Sequence, residues 1–419
     1  SGGSITIASG ATITNNGTAV GLGRTGTVDW QTGSIKTATF TAVSGEGYFC
    51  NTSAGVFNLT LPASPSAGDI VALKDYALTF DTNALAIDRN GSLINGTAGT
   101  TLNIGTEGAT VMFVYVDGTK GWIPTQDDAS ALVPSTPTFI VATGGTITTV
   151  CTNYKAHTFT GPGTFTVCSV GNAEGSTEIS YMVVAGGGGG AEGGGGAGGF
   201  REGKTPQCTY TASPIACTSG SNNGLPVTAT GYPIVIGGGG SPNGNGASST
   251  FAGTTTITST GGGGGGGFPQ TGFPGGSGGG GGGGPNPGSG SNPGGTGNTP
   301  PVSPSQGFPG GSGIHTCGAY YGSGGGGGSS EVGASKSGPQ TQLPFGDGGD
   351  GVTTSINGSS TAYGGGGGSN VAYCTGGTGG AGGGGAGLGN VAGTINTGGG
   401  GGGSGSGGSG IVIIRYKFQ

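Results

Sequence analysis

Side chains able to do acid–base, nucleophilic or metal chemistry are sparse in this 419-residue chain, in which only 7% of residues are charged. Its two histidines are His157, in a predicted hairpin strand, and His315, in a predicted loop. Neither has a Ser, Cys or Asp partner at a spacing that nucleophilic catalysis uses. Both read as surface histidines. Asp347 and Asp350 in "FGDGGDGV" faintly resemble a calcium loop, but one copy without further carboxylates cannot supply the oxygen cage that Ca²⁺ requires. Strings of the form GxGxxG arise by chance among 113 glycines and lack a βαβ setting. Carboxylates elsewhere are too thinly spread to name a glycosidase pair. The residue types therefore predict no catalytic site, no metal, no cofactor and no enzyme.

The seven cysteines are Cys50, Cys151, Cys168, Cys208, Cys217, Cys317 and Cys374. Cys208 and Cys217 bracket "CTYTASPIAC" and form the one disulfide candidate, if the compartment is oxidising. The others are expected to stay mostly unpaired, and no CxxC or Cys/His cluster has zinc spacing.

Recognition is the chemistry that remains. Between glycine runs the chain carries Phe200, Arg201, Tyr210, His315, Tyr320, Tyr321, Phe345, Tyr363 and Tyr373. Aromatics on loops held by a rigid scaffold suit binding of sugars or protein loops, because the scaffold lowers the ordering cost. Phe268, Phe273 and Phe308 stand next to prolines and read as structural. Some of the aromatics could instead cap the apolar ends of the glycine region, and that alternative stays open.

What must position these residues is glycine itself. Glycine loses more conformational freedom on folding than any other residue, so "VVAGGGGGAEGGGGAGGF" (183–200) could be a flexible linker. Disordered chains, however, combine low hydrophobicity with high net charge, and here mean hydropathy is −0.04. Runs recur at 186–190, 193–196, 237–240, 261–267, 278–284, 324–328, 364–368, 382–385 and 398–403, and "TGFPGGSGG" (271–279) returns as "QGFPGGSGI" (306–314). Glycine can adopt the polyproline-II helix, with three residues per turn and every N–H and C=O pointing outward. Ordering a residue costs roughly 1–2 kcal/mol, while a net hydrogen bond returns about 0.5–1.5 kcal/mol. A single tract is unstable, but a bundle in which each rod touches several others comes close to breaking even. Residues 186–410 are thus predicted to be a polyglycine-II bundle with variable loops at its ends.

Strands bracket that bundle. "STEISYMVVAG" (176–186) feeds it, and "SGIVIIRYKFQ" (409–419) follows it, with 411–419 as a closing strand. In the latter, Val412, Ile414, Tyr416 and Phe418 share one face, and Ile411, Ile413, Arg415 and Lys417 the other. A linker needs no strand after it; a domain clamped at both ends does. Upstream, residues 1–45 read as a thin shaft-like β segment or solenoid rung. Residues 46–126, with "FNLTLPA", "DIVALKDY", "LAIDRNGS" and "ATVMFVYVDG", read as a β-sandwich or barrel covered at one end by Trp122. Residues 127–137 form a Pro/Ser/Thr linker. Residues 138–185 form a β-hairpin module, with Gly161-Pro162-Gly163 as the turn of "HTFTGPGTFTV". The fold class is all-β with a C-terminal polyglycine-II bundle and little or no α-helix.

A net charge of −6 offers no basic patch, so nucleic acid is not an expected partner. No apolar run is long enough for a membrane-spanning helix. Starting at Ser1 without Met or an apolar leader, the sequence reads as a processed product or a fragment.

"GEGYF" (45–49), "TLPASPSAGDIVALKDYALTF" (60–80) and "FVYVDGTKGWI" (113–123) resemble the β modules of tail-fibre proteins of marine bacteriophages, including those of cyanobacteria. "HTFTGPGTFTV", "VVAGGGGG" and "SGIVIIRY" are similar to the glycine-rich ends of the same proteins. More distantly, the chain resembles the tip adhesins of T-even-like phages. The resemblance implies a virion tail-fibre, receptor-binding protein, homotrimeric and joined to other tail proteins. Loops of its glycine-rich tip would meet a bacterial surface receptor, a glycan or an outer-membrane protein. A structural fibre without receptor specificity is the alternative; an ice-binding protein and a glycan-cleaving fibre fit the sequence less well.

Overall fold

The computed structural model describes residues 28–126, 137–172, 174–217, 223–284, 291–315, 321–335, 346–370 and 376–419. They are all-β, with no helix among them. They fall into two compact units, one within 1–136 and one within 137–419.

In the first unit the chain passes through β1 (Asp29–Trp30), β2 (Phe40–Thr41), β3 (Glu46–Cys50), β4 (Asn58–Thr60), β5 (Ile70–Asp75), β6 (Leu85–Asp88), β7 (Thr101–Ile104), β8 (Thr110–Asp117) and β9 (Gly121–Gln126). Two sheets result, in the orders β1-β3-β5-β8-β9 and β2-β4-β6-β7. The first six strands alternate between the sheets and stack in parallel, β1 on β3 on β5 and β2 on β4 on β6. β7, β8 and β9 then close the ends antiparallel. One core lies between the sheets, with Leu59, Leu73, Phe80, Val111 and Phe113 fully buried. Trp122 is in that core too, at 0% exposure. Residues 28–45 supply β1 and β2, so this part of the predicted shaft segment belongs to the same two sheets; residues 1–27 lie outside the described residues. So does nearly all of the predicted linker.

The second unit begins with β10 (Val141–Thr143), β11 (Thr146–Val150), β12 (Tyr154–Phe159), β13 (Gly163–Ser169), β14 (Glu178–Val184) and β15 (Phe200–Gly203). It continues with β16 (Leu225–Pro226), β17 (Gly231–Val235), β18 (Ser249–Ala252) and β19 (Thr256–Ser259). Short pieces follow: β20 (Ser291–Asn292), β21 (Gly313–His315), β22 (Tyr321–Gly322), β23 (Val352–Thr354) and β24 (Thr361–Tyr363), before the closing strand β25 (Ile411–Lys417). One sheet has the order β10-β13-β17-β18-β19 and the other β11-β12-β25-β14-β15. As its alternation predicts, β25 has two used faces. Val412, Ile414 and Tyr416 pack into the core between the sheets, and Ile411 and Ile413 into a second core under the hairpin β23–β24.

Two expectations change here. "HTFTGPGTFTV" is not a hairpin: β12 pairs with β11 and β25, and β13 with β10 and β17. The Gly161–Gly163 turn is a corner that carries the chain from one sheet to the other, because Phe159 and Phe165 both bury into the core between them. The hairpin is β11–β12, through the three-residue loop 151–153, in which Cys151 and Thr152 are left-handed at φ 48° and 64°. Nor are residues 186–410 uniformly glycine scaffold. β17, β18 and β19 lie within them and complete the sandwich with Tyr232, Ile234, Phe251 and Ile257.

The glycine tracts connect backbone to backbone with a period of three. Gly186 and Gly189 donate to Ala247 and Gly244, Gly187 and Gly190 to Gly408 and Gly405, and Gly188 and Ala191 to Gly196 and Gly193, all at 2.8–3.0 Å. The following run repeats this: Gly193 and Gly196 donate to Gly266 and Gly263, Gly194 and Ala197 to Gly324 and Gly327, and Gly195 and Gly198 to Gly401 and Gly398. Successive residues thus address three different neighbours, and residues three apart address the same one. Both runs are buried. A Cβ on Gly188 would collide with the carbonyl of Gly263, so the close approach of the two backbones requires glycine there.

Candidate functional site

Hydrogen bonds order the turns between tracts. Strand β14 runs into Gly186, so Gly190 marks the end of its tract away from the sandwich. At that end Asn243 N–H donates to the Gly190 carbonyl (2.9 Å), Asn370 N–H to the Glu192 carbonyl (2.8 Å) and Gly282 N–H to the Gln270 carbonyl (2.9 Å). Gly283 N–H donates to the Glu192 carboxylate at 3.0 Å. The Asn390 side-chain oxygen accepts from Asn370 Nδ2 (3.2 Å) and Ser404 N–H (3.0 Å). Turns near 191, 243, 270, 390 and 404 therefore converge on one end of the glycine region. Burial raises the pKa of the Glu192 carboxyl above the usual carboxylate value, against the lowering effect of the Gly283 hydrogen bond. Phe268 and Leu388, on these turns, are 49% and 62% exposed.

The predicted recognition aromatics are distributed differently. Phe200 lies in β15 and Tyr363 in β24, 1% and 3% exposed, both packed in the core under β25. Arg201 sits beside Phe200 on β15, half-buried and paired with Val183. Tyr210 is half-buried beneath two cations, 5.1 Å from the Arg415 guanidinium and 5.3 Å from Lys204 Nζ; burial raises its phenol pKa. These aromatics face protein, not solvent, because the segments after β14 fold back over its sheet. His315 and Tyr321 are paired backbone partners in β21 and β22. Tyr320, Phe345 and Tyr373 lie outside the described residues.

Sequence reasoning missed the cluster those aromatics join. Arg415, fully buried on the closing strand, donates through Nη1 to the carbonyls of Ser355 (3.3 Å) and Ile356 (3.2 Å) and through Nη2 to Thr209 (3.1 Å). Its guanidinium also lies 4.7 Å from the Tyr154 ring. Nearby, the buried Glu202 carboxylate accepts from the Thr354 hydroxyl (2.6 Å) and Ser213 N–H (2.8 Å). Arg415 therefore fastens the 205–217 segment and the β23–β24 region to β25. The only sequence signal was an arginine inside the apolar run "IVIIRY".

His157 is buried, not on the surface: Nδ1 donates to the Gly144 carbonyl at 2.7 Å, and Nε2 lies 3.1 Å from the Tyr416 hydroxyl. Burial lowers its pKa, which keeps the ring neutral. Cys208 is a buried free thiol, not half of a 208–217 bridge, and its Sγ donates to the Arg415 carbonyl at 3.7 Å. Residue 217 is instead held along β15, its N–H donating to the Glu202 carbonyl at 2.8 Å. Cys50 is also buried, its thiol pKa pushed up to about 12 by desolvation. Asp347 accepts from the N–H and hydroxyl of Thr378, and Asp350 from Ala381 N–H. These carboxylates tie adjacent tracts at a three-residue spacing. Among the described residues, no three His, Cys, Asp or Glu side chains converge to hold a metal.

A family model described as a glycine-rich domain matches residues 158–417. No curated protein matches the chain.

Proposed function

The chain belongs to the glycine-rich domain family over residues 158–417, and from that premise we propose that it is a bacteriophage tail-fibre protein attaching the virion to a bacterial surface receptor. The glycine tracts are polyglycine-II rods, and the turns at their far end are the receptor-contacting surface. The receptor is a glycan or an outer-membrane protein, and the protein binds it without catalysis. In the virion the chain is a homotrimer joined to other tail proteins. One observation carries the reading. The backbone bonds of residues 186–198 repeat every three residues toward three neighbours, as rods with three residues per turn would. The strands β14 and β25, which bracket the rods, pair with each other from Ser180–Arg415 to Val184–Ile411. Turns carried on such a scaffold can vary in sequence without disturbing it.

The burial of Phe200 and Tyr363 favours a second reading, a structural fibre without receptor specificity, because two of the expected contact aromatics are occupied in the core. Replacing the turns 241–245 and 387–390 by Gly/Ser segments of equal length separates the two. Deleting 186–410 is less informative, because it would also remove β17–β19 from the sandwich. Loss of virion adsorption with an unchanged far-ultraviolet spectrum is the expected result. Unchanged adsorption, or antibody against this chain labelling the capsid and not the tail, would sink the receptor reading.

A further inference from the structure

β11 is an edge strand without protection. Among the described residues it pairs with β12 alone, and Thr146, Ile147, Thr148 and Thr149 are exposed, Ile147 at 43%. The opposite edge of the same sheet is covered. There Phe200 N–H donates to the Gln306 carbonyl (2.9 Å), and Cys217 N–H donates to the Glu202 carbonyl (2.8 Å). The neighbouring edge strand β10 carries a register shift between Val141 and Ala142, a bulge of the kind that turns an edge away from pairing. Edges are also guarded by charge or proline. β11 has neither, and residues 138–154 contain no charged side chain and no proline.

We infer that β11 is a pairing edge whose occupant is β11 of a second copy, antiparallel about a two-fold axis at Thr148. The strand "TITTV" is complementary to itself. Pairing sets Thr148 opposite its own copy, Ile147 opposite Thr149, and Thr146 opposite Val150. Cross-strand pairs of β-branched residues are favourable, and like charges directly opposite are not. On this axis a charge at 148 would meet its own copy directly and one at 147 or 149 would sit diagonal to its own copy, so the neutrality of this stretch permits the contact. A five-residue strand buries less than the roughly 1,200 Å² of stable pairs, so the contact forms where copies are concentrated, as in a multi-chain fibre. This pairing is independent of receptor binding and of any threefold shaft.

Sedimentation velocity of the full chain, in a dilution series reaching roughly 1 mM, where weak contacts populate, tests it. Association in steps of two is expected, retained in Thr148→Val and abolished in Thr148→Lys and separately in Ile147→Lys. Circular dichroism identifies any variant that fails to fold, and the two lysine variants point to opposite faces, so one can substitute for the other. No association by twos at the highest concentration overturns the inference, as does association that persists in a folded lysine variant.

Discussion

His157 and Arg415 show how burial decides what a side chain does. Both are polar residues inside strands, and both are fully buried. Arg415 bonds three backbone carbonyls through its two terminal nitrogens and lies over two aromatic rings, an arrangement that suits a planar guanidinium and not an ammonium. His157 meets burial by staying neutral. Its folded pKa lies below the unfolded value of about 6.5. Unfolded chains therefore bind more protons as pH falls below about 6.5, and stability falls with them. Its contribution is complete above that pH and declines from there toward the folded pKa. A thermal melt of the second unit, followed by tyrosine near-ultraviolet dichroism, should shift down as pH drops from about 7 to 5. In His157→Gln that shift should be smaller, and an identical pH profile would contradict the buried neutral imidazole.

At the scale of elements, the glycine tracts behave as strands whose ladder has three sides. Gly187 and Gly190 face one neighbour, while Gly186 and Gly189 face another. In a β-strand a one-residue slip swaps two faces; if the tracts are the polyglycine-II rods proposed above, it rotates them by a third of a turn, and three residues restore the register. Inserting one glycine after Gly263 should therefore cost several hydrogen bonds at about 0.5–1.5 kcal/mol each and expose the region to protease. Inserting three should cost much less, with the extra triplet absorbed in the turn near Gln270. Equal damage from one and from three would contradict a period-three rod. Asp347 and Asp350 carry the same spacing, bonding to residues 378 and 381.

For the molecule as a whole, the closing strand has the largest reach. β25 pairs with both β12 and β14 and contributes to two cores. Both tryptophans, Trp30 and Trp122, belong to the first unit. Deleting 411–419 should then abolish the tyrosine dichroism of the second unit while leaving the tryptophan fluorescence transition in place. A tryptophan transition lost together with the tyrosine signal would mean that the first unit does not fold by itself.

Local pattern made part of this legible. Alternation in "IVIIRYKF" and the apolar run "ISYMVVA" identified the two bracketing strands, because residues two apart share a face whatever surrounds them. Composition and run length identified glycine as scaffold, because only collective backbone pairing can offset the entropy of ordering it. Other features had no local signal. "GYPIVI", "STFAG" and "TTITS" sit among glycines, and their membership in the sandwich depends on partners far along the chain, such as β13 for β17. Whether Phe200 and Tyr363 face solvent or core depends on where the 200–217 and 352–363 segments fold back, which no spacing encodes. The turn of "HTFTGPGTFTV" closes a hairpin or makes a corner according to which sheet each arm joins. Sequence determined which backbones can be extended and which faces are apolar; tertiary structure alone decided their partners, because pairing and burial are set by contacts between residues distant in the chain.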